Sequence, residues 1–174
     1  MKVKGRVWKF GDDVNTDLII SGRYLDNYDP SHLAAHAMEG LSKDFAKNVS
    51  EGDIIVAGKN FGCGSSREQA VVALKQVGIS VVVARSFARI FYRNAINLGL
   101  PVIVSQEALD QVRESDIVDV DLRAPEMTSE DAKLRVRLER VPDHLQRILD
   151  QGGLVPYIKL RLEHEKTSPS GKTV

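Results

Sequence analysis

The sequence predicts an α/β fold built on a β-α-β-α-β core, and three features carry that expectation. The apolar runs Ile54 to Ala57, Ile79 to Ala84 and Pro101 to Val104 have strand length and the branched content of strands buried on both faces. Two segments between them have helical spacing, one through Ala70, Val71, Leu74 and Val77, the other through Phe87, Ile90, Phe91 and Leu98. Strands that alternate with helices in this way are joined by right-handed crossovers. With 174 residues the chain suits one domain with a single core, assigned to residues 1–164, and the last ten residues, rich in Ser, Pro, Gly and Lys, are expected to form a flexible polar tail at 165–174.

Taken in order, Lys4 to Phe10 alternates loosely and predicts a first strand closed by a turn at Gly11, Asp12 and Asp13. Asn15, Thr16 and Asp17 read as loop residues beside the apolar, strand-like run Leu18, Ile19, Ile20, and Ser21 to Pro30 reads as a loop containing Arg23. Ser31 to Phe45 has helical spacing at Leu33, Ala34, Ala37 and Met38, with Ser31 as N-cap and Gly40 as an interruption. After the first core strand and its helix, Ser86 is placed to cap a helix that runs to Leu98 and ends at Gly99. Arg89, Arg93 and Asn97 share one side of it, as a solvated stripe would. Beyond Ser105 the spacing predicts a short helix over Gln106 to Val112, half-exposed strands over Asp116 to Leu122 and Leu134 to Leu138, and a late helix over Asp143 to Gln151.

Lys plus Arg equal Asp plus Glu at 24 each, so no global field favours nucleic acid or an anionic membrane, and anion recognition has to be local. The amino terminus lacks an apolar signal core and no run of 18 apolar residues occurs, which predicts a cytoplasmic protein without a membrane segment. Cys63 is the only cysteine, so neither an internal disulfide nor a self-contained cysteine metal site is expected.

The chemistry concentrates in Gly58 to Arg67, GKNFGCGSSR, between the first core strand and its helix. Gly62 and Gly64 allow positive φ and close backbone approach, and the first amides of the helix present unpaired N–H groups to the same space. That is an anion site, completed by the hydroxyls of Ser65 and Ser66 and the guanidinium of Arg67; its ligand is a carboxylate or a phosphate. A dinucleotide fingerprint fails because Arg67 stands where a third glycine belongs, a P-loop fails for want of Gly-Lys-Ser/Thr, and the hydrolase elbow GxSxG is absent. A carboxylate site with a serine able to act as a base remains. Ser65 and Glu68 also have capping-box spacing, a role that needs no chemistry, although a cap requires neither Ser66 nor Arg67.

GKNFGCGSSRE at 58–68, ARSFARIFYRNAINLGLP at 84–101 and WKFGDDVNTDLIISGRYL at 8–25 closely resemble the small subunits of the aconitase-like hydro-lyases, above all the isopropylmalate isomerase branch of short bacterial and archaeal type. The resemblance spans roughly residues 5 to 160. It implies a swivelling β/β/α domain like the aconitase C-terminal domain, forming one wall of a site opposite a large subunit that carries a [4Fe–4S] cluster; this chain would bind no cofactor itself. The assembly would be a heterodimer or heterotetramer acting on a small branched hydroxy-diacid in leucine biosynthesis. Residue by residue, the resemblance makes Ser65 the catalytic base and assigns Ser66, Arg67, Thr16, Asp17 and Arg23 to the substrate. Tyr24, Leu25, Asp26 and Asn27 would form the loop that discriminates between substrates; Asp26 and Asn27 match neither the apolar pattern that suits an isopropyl group nor the basic one that suits homoaconitase substrates. A homoaconitase or a dimethylmalate-type dehydratase stays open, and so does a non-catalytic anion-binding or regulatory module.

Overall fold

The computed structural model describes residues 1–129 and 133–167. Strand β1 (Lys2–Lys9) is followed by α1 (Thr16–Ile19), a single 3-10 turn (Gly22–Tyr24), α2 (Pro30–Ala35) and α3 (Phe45–Asn48). Then come β2 (Ile54–Ala57), α4 (Glu68–Val77), β3 (Val81–Ala84), α5 (Arg89–Leu98), β4 (Val102–Val104) and α6 (Ala108–Gln111). The chain continues through β5 (Ile117–Asp121), β6 (Glu126–Ser129), β7 (Arg135–Arg137), α7 (Asp143–Asp150) and α8 (Leu154–Thr167).

The strands form one mixed sheet in the order β4-β3-β2-β1-β5-β6-β7. β1 joins its two halves: Lys2 to Arg6 pair antiparallel with β5, whereas Val7 to Lys9 pair parallel with β2. Gly5 sits at this changeover because a Cβ there would lie 2.0 Å from the carbonyl oxygen of Gly52. Burial follows pairing. β2 and β3 are buried at every position, as parallel strands covered on both faces must be, while Val118 and Val120 of β5 alternate with more exposed neighbours. The sheet curls until its ends meet: Glu139 N–H donates to the Val104 carbonyl at 2.8 Å, and the Ser105 hydroxyl donates to the Arg137 carbonyl at 2.9 Å.

Asp53, only 4% exposed, ties β1 to the start of β2. Its carboxylate accepts from Arg6 N, Arg6 Nη2, Trp8 Nε1 and Ser50 N at 2.8–3.2 Å. Burial alone would raise its pKa, but these donors outweigh it and hold the carboxyl below its ordinary value.

The β-α-β-α-β core and the Gly99 stop, at φ 75°, are as the sequence predicts. Several local readings are corrected. Leu18 to Ile20 is not a strand: Asn15 accepts from Leu18 N at 3.0 Å and starts α1. The segment from Ser31 onwards is not one helix to Phe45, and its cap is Asp29, which accepts from His32 N ahead of Pro30 at the first helical turn. α5 begins at Arg89, because Ser86 spends its hydroxyl on the amide of Asn60. Ile90, expected on the apolar face, is 43% exposed. β6 and α8, like the short α3, lack any forecast. β6 is read as a gap because its residues Glu, Met, Thr and Ser place only one apolar side chain inward, and α8 lies where no element was expected. α8 carries helix to Thr167, into the segment read as tail, and residues 168–174 of that tail lie outside the described residues.

Candidate active site

The loop Gly58 to Arg67 leaves the carboxyl end of β2 and is sewn between two distant segments. On one side Gly58 N donates to Gly11 O, Gly62 N to Val14 O, and Thr16 N to Cys63 O, at 2.7–3.0 Å. On the other, Phe61 N donates to Ser86 O and Ala88 N to Phe61 O at 2.9–3.0 Å. Phe61 is fully buried and packs edge-on against Phe91, with ring centroids 5.3 Å apart. Gly62 is the tightest point: its φ is +79°, and a Cβ would fall 2.1 Å from Phe91 Cγ. Asn60 also takes a left-handed φ of 59°, held by its side-chain amide donating to Asp13 Oδ1 at 2.8 Å.

This stitching presents the last turn of the loop to solvent. Gly64, Ser65 and Ser66 are exposed, and among the described residues their amides donate to no acceptor. The Ser65 carbonyl is turned inward, accepting from the Thr16 hydroxyl at 3.0 Å and from Arg67 N at 2.8 Å. Ser65 is not a helix cap: Arg67 occupies the N-cap position of α4, and no side chain caps that end. The hydroxyls of both serines therefore stand beside uncapped amides at the positive end of a ten-residue helix.

Arg67 is mostly covered, its side chain 18% exposed. Nη1 donates to Asp17 Oδ1 and, at 3.1 Å, to the Ile20 carbonyl. Nη2 borders Gly22, where a Cβ would lie 3.6 Å away. The structure thus brings Ser65, Ser66, Arg67, Thr16 and Asp17 together. Thr16 is buried and its hydroxyl serves the loop backbone, while Asp17 fixes the arginine. Arg23 stays outside this set, exposed, with Nε on the Ser21 hydroxyl at 3.3 Å and its guanidinium over the Tyr24 ring. In the segment Tyr24 to Asn27, Tyr24 and Leu25 are half-buried and Asp26 and Asn27 exposed. The carbonyl of Ile20 and the bare backbone of Gly22 are parts of the arginine's seat that the sequence does not announce, since neither depends on a side chain.

Cys63 is half-buried; burial, aided by the Asp13 charge, pushes the pKa of its thiol up. Among the described residues no three His, Cys, Asp or Glu side chains converge as metal ligands would, and no described helix is long and apolar enough to cross a membrane. Two large surface clefts, one around Gln111 and Leu134 and one around Ser105 and Arg140, contain none of the loop residues. The serines lie on an open face.

The structure defines a class: an α/β domain whose glycine loop is stitched to the chain on one side and open to solvent on the other. The family described as the aconitase C-terminal domain matches residues 14–108. A 3-isopropylmalate dehydratase small subunit from Halothermothrix orenii is 49% identical, covering 94% of this chain and 99% of the relative. A methanogen homoaconitase small subunit from Methanocaldococcus jannaschii is 54% identical over 92% of this chain and 94% of its own. A crystal structure described as 3-isopropylmalate dehydratase from Methanocaldococcus jannaschii, 50% identical, superimposes with a TM-score of 0.92 over 97% of this chain and 100% of that one. The chain belongs to the aconitase C-terminal domain family, among the small subunits of 3-isopropylmalate dehydratases.

Proposed function

We propose that this chain is the small subunit of a hydro-lyase that interconverts 2-isopropylmalate and 3-isopropylmalate through 2-isopropylmaleate, and that it acts only with its large subunit. The observation that carries the reading is the exposed Ser65 hydroxyl at the uncapped start of α4, next to an arginine locked by Asp17 and Ile20. The names of its relatives supply the reaction class and the partner.

Isomerisation starts by removing a proton from a carbon next to a carboxylate, which needs a strong base. A serine hydroxyl of ordinary pKa is far too weak an acid to be ionised at neutral pH. The Arg67 charge, the unpaired loop amides and the helix dipole all favour the alkoxide and lower its pKa in the needed direction. Ser65 takes the proton and later returns one to the neighbouring carbon, which has lost its hydroxyl, while hydroxide adds back at the carbon that lost the proton, so the hydroxyl has changed carbons and the chain is unchanged after a turnover. Arg67, with Ser66 and the amides of Gly64 to Ser66, holds a substrate carboxylate, and Asp17 keeps the guanidinium turned to it. A single cysteine cannot hold a four-iron cluster, so we assign the [4Fe–4S] cluster that the family implies to the large subunit, where it would supply Lewis acidity to the departing hydroxyl.

A second reading, the small subunit of a homoaconitase, is favoured by the 54% identity to the methanogen protein. Asp26, exposed in the segment beside Arg67, opposes it by repelling an added carboxylate. The deciding experiment captures the chain anaerobically from its source cells and follows dehydration of 3-isopropylmalate and of homocitrate by the captured complex, with a Ser65→Ala capture in parallel. Activity on isopropylmalate that vanishes in Ser65→Ala while the partner is retained is the expected result. Preference for homocitrate selects the second reading, and capture without any iron-containing partner overturns both.

A further inference from the structure

Segment 21–29 borders the site through its base, where Arg67 reaches the Ile20 carbonyl and lies against Gly22. Its backbone makes two turn bonds, Tyr24 N to Ser21 O and Leu25 N to Gly22 O, and the Asp29 amide donates to Asn27 Oδ1 at 3.0 Å; among the described residues the amides of Asp26, Asn27 and Tyr28 meet no acceptor. Two tyrosines hold it instead. The Tyr24 ring lies flat on His36, with centroids 3.7 Å apart and planes 8° from parallel, and His32 packs edge-on against both. His36 Nδ1 is 3.2 Å from Glu39 Oε2. The interaction with Glu39 raises the Tyr24 phenol's pKa, and the same interaction lowers that of the carboxyl. Four residues along, the Tyr28 hydroxyl accepts from Gln69 Nε2, in the first turn of α4 and two residues beyond Arg67. Leu25, Asp26 and Asn27 span the interval between these two attachments.

We propose that His36 with Glu39 on one side and Gln69 on the other form a two-point clamp that fixes segment 21–29 against the mouth of the site, and so sets substrate discrimination through the residues between the two tyrosines. Tyr24 is then an anchor, with its ring turned into the chain, and selectivity rests with Leu25, Asp26 and Asn27. Because Gln69 and Arg67 share the start of α4, the clamp ties the segment to the element that carries the arginine. His36, Glu39 and Gln69 are positioning residues: they touch the loop and leave the substrate to it. The consequence for catalysis rests on the hydro-lyase reading above, whereas the clamp itself is a property of this chain.

The test uses the full chain bearing His36→Ala, Gln69→Ala or His36→Phe, alone and assembled with its large subunit. In the isolated chain, hydrogen exchange of the Tyr24 and Leu25 amides, the two held in turn bonds, should accelerate by about ten-fold or more in His36→Ala and in Gln69→Ala while the core amides keep their protection. His36→Phe, which keeps a flat ring against Tyr24, should restore slow exchange. In the assembly, the alanine variants should raise KM by about ten-fold, change kcat by less than about three-fold, and narrow the preference between isopropylmalate and homocitrate. Unchanged exchange in both alanine variants overturns the clamp. Faster exchange with an unaltered substrate preference overturns its role in selectivity. A wild-type assembly that turns over neither diacid removes the reaction assignment and leaves the exchange rates to decide the clamp.

Discussion

Ser65 is the residue at which a structural and a chemical role are separable. Its hydroxyl is exposed and caps nothing, so Ser65→Ala should shift folding stability by less than about 0.5 kcal/mol. On the proposed function the same change removes the base, and kcat of the assembled enzyme should fall by at least about a thousand-fold. Thermal unfolding of the isolated chain together with turnover of the complex reads both; a large loss of stability would return Ser65 to a helix-capping role. Spacing cannot make this distinction. Ser65 and Glu68 have the separation of a capping box, and only the helix start, one residue before Glu68 at Arg67, shows that the box does not form. Arg67 was legible as a cation in the loop, but its seat was not: Asp17, Ile20 and Gly22 lie 45 to 50 residues away in sequence and reach it through the fold.

At the scale of elements, the site stands on two rigid contacts. The glycine loop depends on Gly62, where both the positive φ and the closeness of Phe91 forbid a side chain. Gly62→Ala should cost about 1–3 kcal/mol from crowding, with backbone strain adding to it, and should lower Tm and activity together. Retention of the wild-type Tm would mean that the loop relaxes freely. The second contact is Asp53, which joins β1 to β2. Its folded-state pKa lies below the unfolded value, so the stability it contributes is complete above the ordinary carboxylate range, about 3.9, and drains away as pH falls through its lower, folded-state value. Denaturant midpoints should therefore fall below about pH 4. Asp53→Asn should flatten that acid limb and cost about 1–3 kcal/mol at neutral pH, the cost being moderated because the Arg6 side chain is 33% exposed. An unchanged acid limb in Asp53→Asn would place the acid sensitivity elsewhere. The long buried elements were legible from residue type alone; short helices such as α1, and β6 with its single buried methionine, were not, because four residues carry too little periodicity to outweigh their polar side chains.

For the whole molecule, the open face is the feature with consequences. Ser65, Ser66 and Asp17 are exposed on the surface of this chain, so the proposed function requires a second chain to enclose the substrate. The isolated chain should fold cooperatively and show no dehydration of 3-isopropylmalate; addition of the large subunit under anaerobic conditions should restore turnover, and stripping iron from the complex should abolish it without altering the far-ultraviolet circular dichroism of this chain. Turnover by singly purified, iron-free chain would sink the proposal. The alternating α/β core and the place of the glycine loop between β2 and α4 follow from the sequence alone, because burial on both faces and glycine-dependent backbone geometry are written in local composition. Only the tertiary structure decided that the mixed sheet curls until β4 meets β7, that Thr16 and Asp17 support the loop and its arginine, and that Tyr24 faces into the chain. Those outcomes depend on contacts between segments tens of residues apart, whose energies are set by the packed whole and leave no period in the sequence.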